Sequence, residues 1–232
     1  MKGSLHVIVF AAALGIVCAT LLAAANYLLK DFQKRNEQAE RLRSILAVLD
    51  VQLDARTPLE DLSARELVEL ARQKVREGHV TYADRDGRDK TLTYYAYDHP
   101  AAGRLRAVPF SGMGLWGPIE GLLCLKADQP ERGALKEIFR ISFPKHEETP
   151  GLGGEIESDD FREQFEDKSI VSDEGEPGIR IIRGGEAQGV NEVDAISGAT
   201  LTCQKVEAML NRTIVLVREH RREILKENTD GQ

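Results

Sequence analysis

Thr91-Leu92-Thr93-Tyr94-Tyr95-Ala96-Tyr97 is made almost wholly of β-branched and aromatic residues, the side chains that fit a pleated surface. Upstream, Val80-Thr81-Tyr82 has the same character, and Asp86-Gly87 between them is a turn signal. The two runs predict a β-hairpin. Toward the C-terminus, Leu105-Arg106-Ala107-Val108 reads as a further short strand. Leu122-Leu123-Cys124-Leu125 is apolar throughout and reads as a central strand buried on both faces. Leu135 to Phe139 suits a strand or a short helix. Phe161 and Phe165 stand four apart and predict a helix from Asp159 to Glu166. Ile179-Arg180-Ile181-Ile182 reads as a strand and Gly184-Gly185 as a turn. Thr202 to Leu225 reads as one long helix, with Val206, Met209, Leu210, Thr213, Leu216 and Val217 along one face. No internal repeat or low-complexity tract interrupts the pattern. The expected fold class is α+β, a strand-rich domain with flanking helices.

Toward the N-terminus the texture is helical. Leu42, Ile45, Leu46 and Leu49 fall at helical spacing, and so do Leu62, Leu67, Leu70 and Val75. Thr57-Pro58 followed by Glu60 reads as a helix start, with Thr57 as cap and Pro58 in the first turn. That helix is expected to end near Gly78. Leu5 to Leu29 contains no Lys, Arg, Asp or Glu, and about 20 apolar residues suffice to cross a bilayer. Its many small residues suit close packing between membrane helices. A cleaved signal peptide is an alternative, given Ala23-Ala24-Ala25, as is a buried core helix. The run is longer than a signal h-region, so a retained anchor is expected. The division is 1–29 transmembrane anchor, 30–78 helical connector and 79–232 strand-rich domain. Lys2 precedes the span, while Lys30, Lys34, Arg35, Arg41 and Arg43 follow it. A plain charge count would put the domain in the cytoplasm, but that rule is weak ahead of a long domain. Charge alone leaves the side open.

The chain has 232 residues, a net charge of -7 and no basic cluster, so no nucleic-acid partner is expected. Cys18, Cys124 and Cys203 lie far apart without histidines at ligand spacing. No zinc site is readable, no metal is expected, and the odd count argues against a disulfide framework. The cysteines read as small buried hydrophobes. Asn211-Arg212-Thr213 matches a glycosylation sequon but falls inside the expected last helix.

Four segments carry chemistry. In Asp194-Ala195-Ile196-Ser197-Gly198-Ala199-Thr200-Leu201-Thr202 a loop of small residues opens a helix. Helix N-termini present free N–H groups that favour phosphate; the blander reading is a helix start capped by Ser197. In His146-Glu147-Glu148-Thr149-Pro150-Gly151-Leu152-Gly153-Gly154 the proline and glycines shape a tight loop with exposed N–H groups. Leu152 adds an apolar face and Thr149 a hydroxyl. Such a loop can grip the edge of a planar ring, or be an ordinary surface turn. His146 reads as an exposed or capping residue, since no second ligand accompanies it. Gly112-Met113-Gly114-Leu115-Trp116-Gly117 satisfies G-x-G-x-x-G by letter, but no long helix follows, so it is not a dinucleotide fingerprint. Trp116 can border a flat ligand or be a core residue. Arg183, before Gly184-Gly185, is a candidate cation that could stabilise an anionic group, or a solvated charge.

Asp-x-x-Ser-Gly-Ala-Thr resembles the motif of proteins flavinylated by a flavin transferase. Glu-Thr-Pro-Gly-Leu-Gly is similar to a stretch shared by the C subunit of the sodium-pumping NADH:quinone reductase (Nqr) and the G subunit of the Rnf complex. The Gly-Leu-Trp loop leans toward Nqr. The resemblance spans the anchor, the 110–125 region and roughly 145–210 in order. It implies an FMN-binding domain over 79–232 and FMN joined covalently to Thr200 by a phosphoester. Asp194 would be read by the transferase, with Ser197, Gly198 and Ala199 completing the motif. Thr202, Glu148, Thr149, Leu152, Gly153, Leu115, Trp116 and Arg183 would surround the cofactor. The implied role is electron transfer in a membrane oxidoreductase, with no catalytic residues of its own. Partners would be the other membrane subunits and, during maturation, the transferase. The domain would face the periplasm from the inner membrane. An Rnf-type subunit, a stand-alone flavinylated carrier and a non-redox extracytoplasmic binding module remain the alternatives.

Overall fold

A computed structural model describes residues 2–53, 57–84, 86–127 and 135–226, leaving out the side chains of residues 2–6 and 31. The side chains of Lys2 and Leu5, at the head of the apolar run, therefore lie outside the described set. Helix α1 runs unbroken over Lys2–Val48, about 70 Å at 1.5 Å per residue. Val7–Lys30 is long and apolar enough to cross a membrane, and nothing among the described residues buries it. Cys18, expected to be buried, is exposed on this span, whereas Cys124 and Cys203 are buried as expected. The helix closes with two reversed bonds, Val51 N–H to Leu46 O (2.8 Å) and Asp50 N–H to Ala47 O (3.1 Å). This is a Schellman closure, with Asp50 in the left-handed conformation (φ 55°) usually left to glycine.

The expected helix start at Thr57-Pro58 is corrected. Pro58 is extended (ψ 149°) and leads into a single 3₁₀ turn, Leu59–Asp61. Helix α2 is Ala64–Lys74, and Ser63 is its cap. The Ser63 side chain accepts from Glu66 N–H, while Glu66 accepts from Ser63 N–H at 2.8 Å. This reciprocal box satisfies two orphan donors at once, which Thr57 and Pro58 cannot do six residues earlier. The helix also ends before Gly78, because β1 begins at Arg76. Gly78 lies in that strand, under the ring of Tyr94, where a side chain would collide.

The sheet is an antiparallel meander of β1 (Arg76–Ala83), β2 (Asp89–His99), β3 (Gly103–Met113), β4 (Pro118–Lys126) and β5 (Ile138–Lys145), in that spatial order. The hairpin read from residues 80–97 is present. β4 is interior and buried on both faces. Leu135–Phe139 resolves into a left-handed Leu135 (φ 65°) ahead of β5. Period-two alternation sends Leu92, Tyr94, Val108, Phe110 and Leu123 to one face, and Tyr95, Tyr97, Leu105, Ala107 and Cys124 to the other.

The second face packs on the end of α1 and on α2 through Leu46, Leu49, Leu67 and Leu70. α3 is Asp159–Arg162; it continues as a 3₁₀ turn, Glu163–Phe165, and buries both phenylalanines. The first face packs on α4 (Thr200–Glu219) and α5 (Arg221–Leu225). The expected single helix 202–225 thus starts two residues earlier and breaks at His220. A two-stranded parallel sheet, β6 (Arg180–Ile182) with β7 (Glu192–Asp194), completes the domain. Asn211 bonds both backbone groups of Ile179 (2.8 and 3.0 Å), so its amide serves structure inside α4. Helices on both faces of an antiparallel sheet make this an α+β fold behind an apolar N-terminal helix.

Candidate functional site

The β3–β4 register pairs Met113 with Pro118, which leaves Gly114–Gly117 as the hairpin tip. Gly114 N–H closes it on Gly117 O at 2.8 Å. Leu115 and Trp116 project outward, Trp116 with 68% of its surface exposed. A core role for Trp116 is thereby set aside. The loop after β5 comes alongside. Leu152 and Gly154 both donate to Thr149 O (3.1 and 2.9 Å), and Gly151 takes a left-handed φ of 73°. His146 is mostly buried and acts as a cap: Glu148 N–H donates to its Nδ1 at 3.3 Å, and its Nε2 stands 3.2 Å from Glu157.

The third segment is the loop into α4. Gly198 has φ 76°, and its Cα faces Leu152 so closely that an added Cβ would stand 3.0 Å from Leu152 Cδ2. Ser197 is not the helix cap. Ala199 holds that position, and no side-chain hydrogen bond caps the helix. Ser197 lies two residues too early, exposed in the loop. The start of α4 is therefore left without a side-chain cap, the arrangement that suits a phosphate oxygen.

Thr200, first residue of α4, is half-buried on a ridge between two clefts. One, of ≈ 150 Å³, gathers Leu115, Trp116, Glu148, Thr149, Leu152, Gly153 and residues 198–202. The other, of ≈ 270 Å³, lies on the β6 side and holds Arg183, Ala195, Cys203, Gln204 and Glu207. Ten of the expected cofactor-site residues thus line the first cleft and Arg183 lines the second, while Asp194 and Ser197 line neither. Asp194 Oδ1 instead accepts from Ala187 N–H at 2.9 Å and steadies the turn after β6. Sequence reasoning missed the far wall of the second cleft. Thr200, Cys203, Gln204 and Glu207 follow i, i+3, i+4, i+7, so helical periodicity carried that signal.

The rim of the first cleft is apolar, with Leu115, Trp116, Leu152 and Leu201 about half exposed or more. An apolar slot beside an uncapped helix start fits a planar ring joined to a phosphate. Burial pushes the Cys203 thiol up from its ordinary value, which leaves it an inert wall.

Residues 114–215 match the FMN-binding domain family. The C subunit of the Na(+)-translocating NADH-quinone reductase of Vibrio alginolyticus is 27% identical over 220 residues, covering 84% of each chain. The Yersinia pestis C subunit is 29% identical over 227 residues, covering 84% of this chain and 83% of its own. The chain is thus similar to Nqr C subunits over most of its length. Solved structures agree in fold. The Nqr C protein of Parabacteroides distasonis superposes with a TM-score of 0.63 at 21% identity, over 86% of this chain and 98% of its own. The NqrC of Shewanella oneidensis gives 0.59 at 20% identity, over 76% and 91%. The matched FMN-binding segment starts at the hairpin tip and ends inside α4, so it spans the three loops of the first cleft.

Proposed function

We propose that this chain is a member of the Nqr C family and transfers electrons within a membrane-bound, ion-translocating NADH-quinone reductase, through FMN bound covalently by a phosphoester to Thr200. The observation that carries the proposal is the position of Thr200: it is the first residue of the uncapped α4 and lines the apolar cleft, whereas the hydroxyl of Thr202 beside it is already bonded to Glu148. FMN supplies the redox chemistry when bound; the protein supplies position and electrostatics. Leu115, Trp116 and Leu152 would border the ring, Thr149 and Gly153 its polar edge, and Gly198 and Ala199 the phosphate. Arg183, across the ridge, would offset negative charge near Thr200. Asp194 and Ser197 would act earlier, as surface read by a flavin transferase that draws FMN from FAD.

The apolar helix supports membrane anchoring through residues 1–29, with 30–78 carrying the domain formed by 79–232. We place that domain on the periplasmic side of the inner membrane. There a dissociated flavin would be lost to a large volume, and a covalent bond prevents the loss. The other membrane subunits of the complex are the partners this reading requires.

The test is co-expression with a flavin transferase followed by intact-protein mass measurement. Wild type gains the mass of FMN less one water, AMP leaving from FAD; Thr200→Ser keeps that gain, and Thr200→Ala loses it while staying folded. FMN retained on Thr200→Ala would overturn the site, and a wild-type chain that never gains flavin would overturn the function.

A further inference from the structure

Glu148 joins three segments that are distant in sequence. It is 5% exposed, yet its carboxylate bonds outward in two directions. Oε1 accepts from the N–H groups of Leu115 (2.7 Å) and Trp116 (3.2 Å) at the hairpin tip. Oε2 accepts from the Thr202 hydroxyl (2.6 Å) in the first turn of α4. Both oxygens are thus committed to the protein's own donors. Two glycines make room for them. A side chain on Gly114 would run into Oε1, and one on Gly153 would stand 2.7 Å from Oε2 and 2.6 Å from the Thr202 hydroxyl.

Trp116 is exposed and has little packing of its own to hold it. Paired bonds from two successive N–H groups to one oxygen set the direction of the backbone there, and bonds to a charged acceptor are the stronger kind. We propose that Glu148 is a positioning residue, a buried bracket that holds Leu115 and Trp116 over the start of α4, so that the cleft is formed before any ligand enters it. Ordering the tip during folding removes that cost from binding. The geometry asks for an acceptor toward the tip and a polar atom toward Thr202. A glutamine meets both needs: its carbonyl faces the two N–H groups and its amide donates to the Thr202 oxygen, whose own proton turns away. An extension rests on the function proposed above: the bracket fixes the surroundings of the flavin ring.

The test uses the full-length chain in detergent, made without the transferase and so free of covalent flavin. It measures amide exchange at Leu115 and Trp116, and the fluorescence anisotropy of Trp116, the only tryptophan. Glu148→Ala should speed exchange at both amides by about tenfold or more and lower the anisotropy, while Glu148→Gln should restore both. Thr202→Val, which removes one of three donors, should speed exchange by a smaller factor. Unchanged exchange in Glu148→Ala, or a Gln variant as fast as the Ala variant, overturns the bracket. If Glu148→Ala does not fold, Thr202→Val decides: faster exchange at the tip supports the bracket and unchanged exchange overturns it. In the flavin-loaded chain, the visible circular dichroism of the flavin should flatten in Glu148→Ala and persist in Glu148→Gln. An unchanged band in Glu148→Ala overturns the extension. A chain that takes up no flavin defeats the proposed function and leaves the amide result standing.

Discussion

Asp50 Oδ1 accepts a hydrogen bond from Arg140 Nη1 at 3.0 Å. Asp50 is the left-handed residue that closes the long N-terminal helix, and Arg140 lies on β5, so the pair fastens that helix to the sheet. His99 reinforces it. Its Nδ1 accepts from the N–H groups of Ala101 and Ala102 (3.1 and 2.8 Å), which leaves Nε2 to donate toward Asp50 Oδ2 at 3.3 Å.

Burial pushes the Asp50 carboxyl up, but the bonds from Arg140 and His99, with the charge of Arg140, outweigh it and hold the group below its ordinary value of 3.8. A carboxyl depressed by folding contributes stability above its unfolded value, and that stability is lost as pH falls through the folded one. Asp50→Asn should therefore lower the thermal midpoint at pH 7, with the gap to wild type closing below pH 3.8. Melting curves of both chains across pH check this. A gap that stays constant to acid pH would sink the assignment.

Ser63→Ala should remove the capping box of α2 and cost about 1 kcal/mol, a fall of roughly 2–4 °C in melting temperature for a chain of this size. Thr57→Ala, at the start expected from sequence, should leave α2 in place. Denaturant titration compares the two. A larger loss for Thr57 would restore the helix start at residue 57.

Gly198→Ala should destabilise by about 1 kcal/mol from its left-handed backbone alone, with a further loss from the contact with Leu152 Cδ2. Leu152→Ala should relieve only the second part, so the two substitutions together should be less harmful than their sum. A strictly additive double mutant would mean that the two loops do not press on each other.

Trp116→Ala should change global stability by less than about 0.5 kcal/mol, because an exposed side chain contributes little to the core. Under the proposed function it should leave flavin attachment intact and shift the midpoint potential of the flavin. Redox titration with an unchanged midpoint would remove Trp116 from the ring's surroundings.

Cys124 and Cys203 should resist iodoacetamide in the native chain and react after denaturation. Burial pushes both thiols up, and the thiolate is the nucleophile. Peptide mass spectrometry before and after unfolding reads this. Rapid native labelling of Cys203 would show that the second cleft opens wider than the structure allows.

Much of the fold was legible in local pattern. The β-formers of Thr91–Tyr97 announced the hairpin, and the Asp194–Thr202 motif pointed to Thr200. Helix ends were legible where the side chains that satisfy backbone donors could be recognised. Thr57-Pro58 misled because both residues suit a helix start, whereas Ser63 and Glu66 make the reciprocal bonds. Ser197 misled in the same way, two residues ahead of the true cap position.

What the sequence by itself determined was everything set by neighbours along the chain: the apolar run that forms the N-terminal helix, the period-two strands, and the cluster of small residues ahead of α4. These rest on side-chain spacings of two to four residues. Only the tertiary structure decided that Glu148 meets Leu115, 33 positions away, and Thr202, 54 positions away, and that Thr200 sits between two clefts while Asp194 faces neither. Those contacts follow from sheet register and from how helices dock on each face, and no local spacing encodes them.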